Sequence, residues 1–80
     1  MKKSIHSAEQ SELLALLREK RKRVGLSQEG LARRLGRSQS FVSKCESGEL
    51  RLDLIQLREI CRALETTLSK FVREYESRLL

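Results

Sequence analysis

Proline is absent from the chain, and aromatic side chains amount to 4% of it. Without proline nothing in the sequence breaks a helix from inside, and with so few aromatic residues the β-favouring part of the alphabet is thin. Histidine occurs once, as His6, and no serine, histidine and acid are spaced as a nucleophilic set, so an enzyme is not expected. Cysteine occurs twice, as Cys45 and Cys61, too few and too far apart for a disulfide framework or a zinc site. Both fall at apolar positions of helical patterns and read as small buried thiols. There is no metal set, nucleotide loop or cofactor motif, and no cofactor is expected. Long apolar runs are missing too: Lys2 and Lys3 follow Met1, but no stretch of signal-peptide length comes after them and none approaches a membrane span. A cytoplasmic chain with no membrane partner is expected.

What the chain does have is charge and helical rhythm. Charged side chains make up 35% and hydrophobic ones 39% of 80 residues, which suits one small all-α domain and leaves little room for a deep substrate cleft. The net charge is +6, and its excess is confined to one half. Residues 1–37 hold ten Lys or Arg against four Glu, whereas residues 38–80 hold seven basic and seven acidic residues. Such a positive excess attracts polyanions: nucleic acid phosphates, anionic lipids or an acidic protein.

Residues 1–7 show no pattern and read as a flexible N-terminus, with residues 8–80 as a single domain. A first helix starts after Ser7, where Ser7 and Gln10 have capping-box spacing, and runs through Leu13, Leu14, Leu17 and Val24 to Gly25. Its last turns carry Lys20, Arg21, Lys22 and Arg23, which complement the helix dipole whatever else they do. Ser27 precedes a rhythm of Leu31, Ala32 and Leu35 that ends at Gly36; Ser38 opens another, of Phe41, Val42 and Cys45, that ends at Gly48. Serine before and glycine after mark helix ends, and the connection through Gly36 and Arg37 is short enough to force a steep crossing, the helix-turn-helix arrangement. A fourth helix begins after Asp53, which has capping-box spacing to Gln56, with a stripe of Leu54, Leu57, Ile60, Cys61 and Leu64. A fifth begins after Thr67 and extends to the C-terminus through Leu68, Phe71, Val72, Tyr75 and Leu79.

On a wheel of about 100° per residue, Gln39, Ser43, Ser47, Ser40 and Lys44 share one face of the third helix, and Phe41, Cys45 and Val42 share the other. Gln39 suits a bidentate pair with adenine, Lys44 suits guanine O6 and N7, and Ser40 and Ser43 suit base edges or phosphates. Any solvated helix face has similar groups, so the wheel gains weight only from the turn and the basic half.

The run from Leu17 to Phe71 resembles the Cro and phage-repressor type of helix-turn-helix domain, the XRE family. The resemblance is carried by Gly25-Leu26-Ser27-Gln28, Leu31-Ala32, Ser38-Gln39-Ser40 with Val42-Ser43-Lys44, and Glu46 two residues before Gly48. It implies a five-helix, lambda-repressor-like domain and a sequence-specific transcriptional regulator that binds a two-fold related operator in double-stranded DNA as a homodimer, with residues 39–47 in the major groove. Gln39, Ser40, Ser43 and Lys44 become the base contacts. Gln28, at a helix N-terminus, becomes a phosphate contact together with Arg37 and Arg51. Arg21 and Glu46 match a pair that joins the first helix to the third. Three residues depart from the pattern: Gly30 stands where a capping Glu or Gln is usual, Glu65 replaces the common glycine after the fourth helix, and Glu49 adds a negative charge near the expected backbone contact. The stripe of Phe71, Tyr75 and Leu79 belongs either to the core or to a dimer surface. An antitoxin or other interaction module, meeting a toxin or another partner protein through the basic first helix and the fifth, is the competing reading.

Overall fold

Each helix opens on a side chain that accepts a hydrogen bond from the backbone N–H three residues on. Ser7, Ser27, Ser38, Asp53 and Thr67 take these positions, with distances of 2.7 to 3.2 Å to the amides of Gln10, Gly30, Phe41, Gln56 and Lys70. Each cap satisfies a donor that the helix itself leaves orphaned. The computed structural model, which describes residues 7–80, accordingly has five helices: α1 (Ala8–Arg23), α2 (Gln28–Leu35), α3 (Gln39–Ser47), α4 (Leu54–Ala63) and α5 (Leu68–Arg78). It is all-α among the described residues. Residues 1–6, most of the stretch expected to be a flexible N-terminus, lie outside the described residues. α4 has the complete capping box, with Gln56 Oε1 accepting from the Asp53 N–H at 3.0 Å.

Gly30 has a packing reason for its place in α2. A Cβ there would stand 3.2 Å from Leu26 Cδ2, so the bare glycine lets Leu26 fold closely over the first turn. The helix gives up the reciprocal cap and some intrinsic propensity for that contact.

α1 is covered on two sides, by α3 and by α5, while α2 packs on α3 and α4, and α4 on α5. The core comprises Leu14, Leu16, Leu17, Leu31, Ala32, Val42, Ile60, Cys61, Leu64 and Phe71. Three details differ from the sequence expectation. Leu16 is fully buried although it is absent from the expected stripe, because it lies one turn before Lys20 on the face that meets α5. Leu54 was expected inside but is 67% exposed, as is its neighbour Ile55 at 71%, so the first turn of α4 contributes no buried apolar side chain to the core. α5 stops at Arg78 instead of continuing to the last residue.

Polar contacts lace α5 to α1. Lys20 pairs with Glu74 at 2.6 Å, Arg78 donates to Glu19 at 2.5 Å, and the Tyr75 hydroxyl donates to the Glu9 carbonyl at 2.9 Å. The bond from Arg78 holds the Glu19 carboxyl below its ordinary value of 4.5, and the bond from Lys20 does the same to Glu74.

At the end of α4, Glu65 takes a left-handed conformation, with φ 63°, while the Thr66 N–H closes the helix onto the Cys61 carbonyl at 3.0 Å. This geometry suits glycine, and any other residue is disfavoured in it by roughly 1–2 kcal/mol. Arg34 of α2 compensates in part, donating to the Ala63 carbonyl at 2.8 Å and to Glu65 Oε2 at 3.0 Å.

Two outcomes follow. Glu65→Gly relieves the backbone and gives up only an exposed ion pair, so it should raise stability by about 1 kcal/mol in urea unfolding with an unchanged m-value. Because the folded-state values of Glu19 and Glu74 are depressed, their pairs stabilise the fold fully above the ordinary Glu range and stop doing so as pH falls through the lower values. A carboxyl NMR titration should find both groups depressed, and Arg78→Gln should return Glu19 toward 4.5.

Candidate nucleic-acid interface

The turn between α2 and α3 is set by Gly36, whose φ of 68° lets its N–H and that of Arg37 reach back to carbonyls of α2. Ser38 then caps α3 and turns its apolar side inward, so that Val42 and Cys45 are buried and Phe41 is half-buried. Gln39, Ser40, Lys44 and Ser47 are exposed along the opposite edge, and Ser43 is half-buried at its flank. Arg37 is exposed at the turn, its guanidinium held 4.3 Å from the centroid of the Phe41 ring. Arg51 is exposed in the loop after α3, beside a groove lined by Gln10, Leu13 and Leu52.

Beneath this edge lies a clamp. Arg21 and Glu46 are 8% and 4% exposed, and the guanidinium grips the carboxylate twice: Arg21 Nε donates to Oε2 at 2.6 Å and Nη2 to Oε1 at 3.0 Å. The remaining arm of Arg21 reaches the Leu26 carbonyl at 2.8 Å, fixing the connection into α2. Arg18, one turn earlier, donates to the Glu46 carbonyl at 2.9 Å and so secures the last turn of α3. A fork of five donors suits this task, since one side chain ties α1, the loop and α3 together.

The clamp continues outward to the exposed edge. Gln28 Nε2 donates to Glu46 Oε1 at 3.0 Å, and Gln28 Oε1 accepts from Gln39 Nε2 at 2.7 Å. The structure thus brings together Arg21, Glu46, Gln28 and Gln39 in one chain of hydrogen bonds, and leaves Arg37 and Arg51 apart from it. The roles of Arg18 and of the Gln28–Gln39 contact were missed in the sequence. A visible signal existed: the Ser-Gln pair recurs at Ser27-Gln28 and Ser38-Gln39, putting each glutamine at the first position of its helix.

The basic cluster of α1 is not one surface. Lys20 is engaged with Glu74 and Arg21 with Glu46, so that Lys22 and Arg23 are the exposed members. Burial pushes the Cys45 thiol up and that of Cys61 up to about 11, which leaves both poorly nucleophilic at neutral pH. Among the described residues no group of His, Cys, Asp and Glu could hold a metal ion, and no helix is long and apolar enough to cross a membrane.

The model of the family described as the helix-turn-helix domain matches residues 12–70. An XRE-family like protein from Pseudomonas syringae pv. tomato str. DC3000 is 44% identical, covering 92% of this chain and 90% of its own, with a TM-score of 0.84. The chain belongs to the XRE family of helix-turn-helix proteins. The same XRE-type fold is found in the restriction-modification controller protein C.Esp1396I, which is 23% identical over 94% of this chain and 96% of that one, with a TM-score of 0.84. It is found again in the clp gene regulator ClgR from Corynebacterium glutamicum, 24% identical over 90% of this chain and 77% of that one, with a TM-score of 0.77. No curated protein matches the sequence.

Removing one partner of a buried pair strands the other charge, so Glu46→Ala should lower stability by about 3–5 kcal/mol. Replacing both partners, by Arg21→Met with Glu46→Leu, should lose much less than the sum of the single changes. A double-mutant cycle in urea measures this difference.

Proposed function

We propose that this XRE-family chain is a sequence-specific DNA-binding regulator of transcription that reads a two-fold related operator as a homodimer, with α3 in the major groove. The observation that carries the reading is the exposed edge of Gln39, Ser40 and Lys44, held outward by a helix whose opposite side is fixed by the core and by the Arg21–Glu46 clamp. In this reading Gln39 pairs with adenine, Lys44 reaches guanine O6 and N7, and Ser40 and Ser43 meet neighbouring edges. Gln28, Arg37 and Arg51 hold phosphates, Gln28 with the help of the α2 N-terminus. Two structural neighbours, a restriction-modification controller protein and a clp gene regulator, are consistent with this assignment.

A single domain of this size covers limited DNA surface, and two half-sites roughly 34 Å apart are the geometric solution. The surface offered for pairing is on α5, where Tyr75 and Leu79 are half-buried and Val72 is exposed. Phe71 is excluded from it, being 1% exposed within its own core. An interaction module built on the basic end of α1 is less favoured, because Lys20 and Arg21 are engaged internally.

Selection from random duplex DNA, followed by titration at several salt concentrations, tests the reading. A motif with two-fold symmetry should be enriched, and log K should fall with log salt, the slope flattening by about one unit in Arg37→Ala or Arg51→Ala. A folded protein that enriches no motif would falsify it.

A further inference from the structure

Between the first turns of α1 and the loop after α3 runs a groove of about 170 Å³. Leu13, Leu14, Leu50 and Leu52 make most of its lining apolar, and Gln10 and Arg51 give it a polar margin. We propose that this groove binds a small carboxylic acid with an apolar body, whose carboxylate pairs with Arg51 and thereby withdraws that cation from the DNA backbone. The regulatory half rests on the reading of Arg51 as a phosphate contact; the site itself does not.

Volume sets the size of the occupant. A cavity of about 150 Å³ lined by Leu, Ile and Phe admits benzene, so the groove suits one aromatic ring or an alkyl chain of similar bulk. It is too small for a drug-sized ligand, which needs roughly 300 Å³ or more.

Charge selects the headgroup. Among the described residues lining the groove Arg51 carries the only charge, and none of the ion pairs of the fold engages it. Residues 1–6 contain no acid that could serve. Nearby acids are committed elsewhere or stand outside the lining: Asp53 Oδ1 accepts from the Gln56 N–H at 2.7 Å, Glu12 faces Arg78 of α5 at 3.8 Å, and Glu9 and Glu49 are exposed beyond the groove. A guanidinium beside an apolar concavity matches a carboxylate in charge and in its two-pronged shape, and Gln10 adds an amide donor to the same lining. A cationic head is repelled there.

The groove also adjoins the recognition helix. Cys45 of α3 contributes to its lining, and the Leu50 N–H donates to the Lys44 carbonyl at 3.1 Å, with Arg51 the next residue along. A carboxylate and a DNA phosphate are alternative partners for one guanidinium, so each weakens the binding of the other by the same factor. The acid therefore loosens the operator complex.

Benzoate, benzamide and benzamidinium share one shape and differ in charge, and they are titrated into the full chain without DNA while amide NMR shifts are followed. Benzoate should shift Leu13, Leu50 and Leu52 saturably, benzamide should bind about tenfold more weakly, and benzamidinium should not bind. Arg51→Gln, at an exposed loop position, should bring benzoate down to the level of benzamide. Equal binding of all three, shifts confined to other surfaces, or no shifts at all overturn the proposal. Operator titrations at constant ionic strength test the second half. Saturating benzoate should weaken the operator complex and flatten the salt slope by about one unit, as Arg51→Gln does alone, and should add nothing in that variant. Benzoate seated in the groove with operator affinity unchanged overturns the regulatory half. If the chain takes benzoate as expected but selects no operator, the site stands, and the DNA-binding reading fails together with the regulation built on it.

Discussion

The Arg21–Glu46 pair is the constraint on which the rest of the molecule depends. Neither charge can be left alone at such depth, so α1, the connection at Leu26 and α3 are obliged to keep one relative position. Apolar packing is not directional and would tolerate small rotations of α3 about its axis. A two-toothed ionic grip on Glu46, reinforced by Arg18 at the helix end, does not. Rotational precision is what a helix needs if its outer edge is to meet a patterned surface.

The other polar contacts show the same division of labour at lower cost. Arg34 fastens α2 to the end of α4 around a strained Glu65, and Arg78 and Lys20 fasten α5 to α1. These are exposed or half-exposed pairs, each contributing on the order of 0–1 kcal/mol, so they align elements that the apolar core already holds. Much of the positive charge on α1 and α2 serves this internal purpose. Net charge therefore overstates what is free to meet a polyanion: Lys22, Arg23, Arg33, Arg37, Lys44 and Arg51 are exposed, whereas Lys20 and Arg21 are committed inside.

Helix starts were the most legible part of the sequence, because a cap is a local event: Ser7, Ser27, Ser38, Asp53 and Thr67 stand one residue before the helices they open. The helix-turn-helix corner was legible for the same reason, through Gly36 and Ser38. Burial was less so. Whether Leu16 or Leu54 lies inside depends on how many neighbours cover a helix, and periodicity within one helix does not contain that information. The inner face of α3 followed from its wheel, but the link between Gln28 and Gln39 required the turn to bring two helix N-termini together. The pairing of Arg21 with Glu46 came from the family resemblance, since 25 residues of separation carry no local signal. Glu65 stood out only as a missing glycine, and its partner Arg34 came to light with the fold.

The two-sided cover of α1 has a consequence for the birth of the protein on the ribosome. One flank of α1 meets α3 soon after it emerges, but the flank bearing Leu16 is completed by α5, through contacts such as Glu9 with Tyr75 that span 66 residues. Until residues 68–78 have left the exit tunnel, the nascent chain carries an oily stripe with no companion. α1 is made before α5 yet finished only with it, and chaperone encounters during translation should concentrate on that stripe.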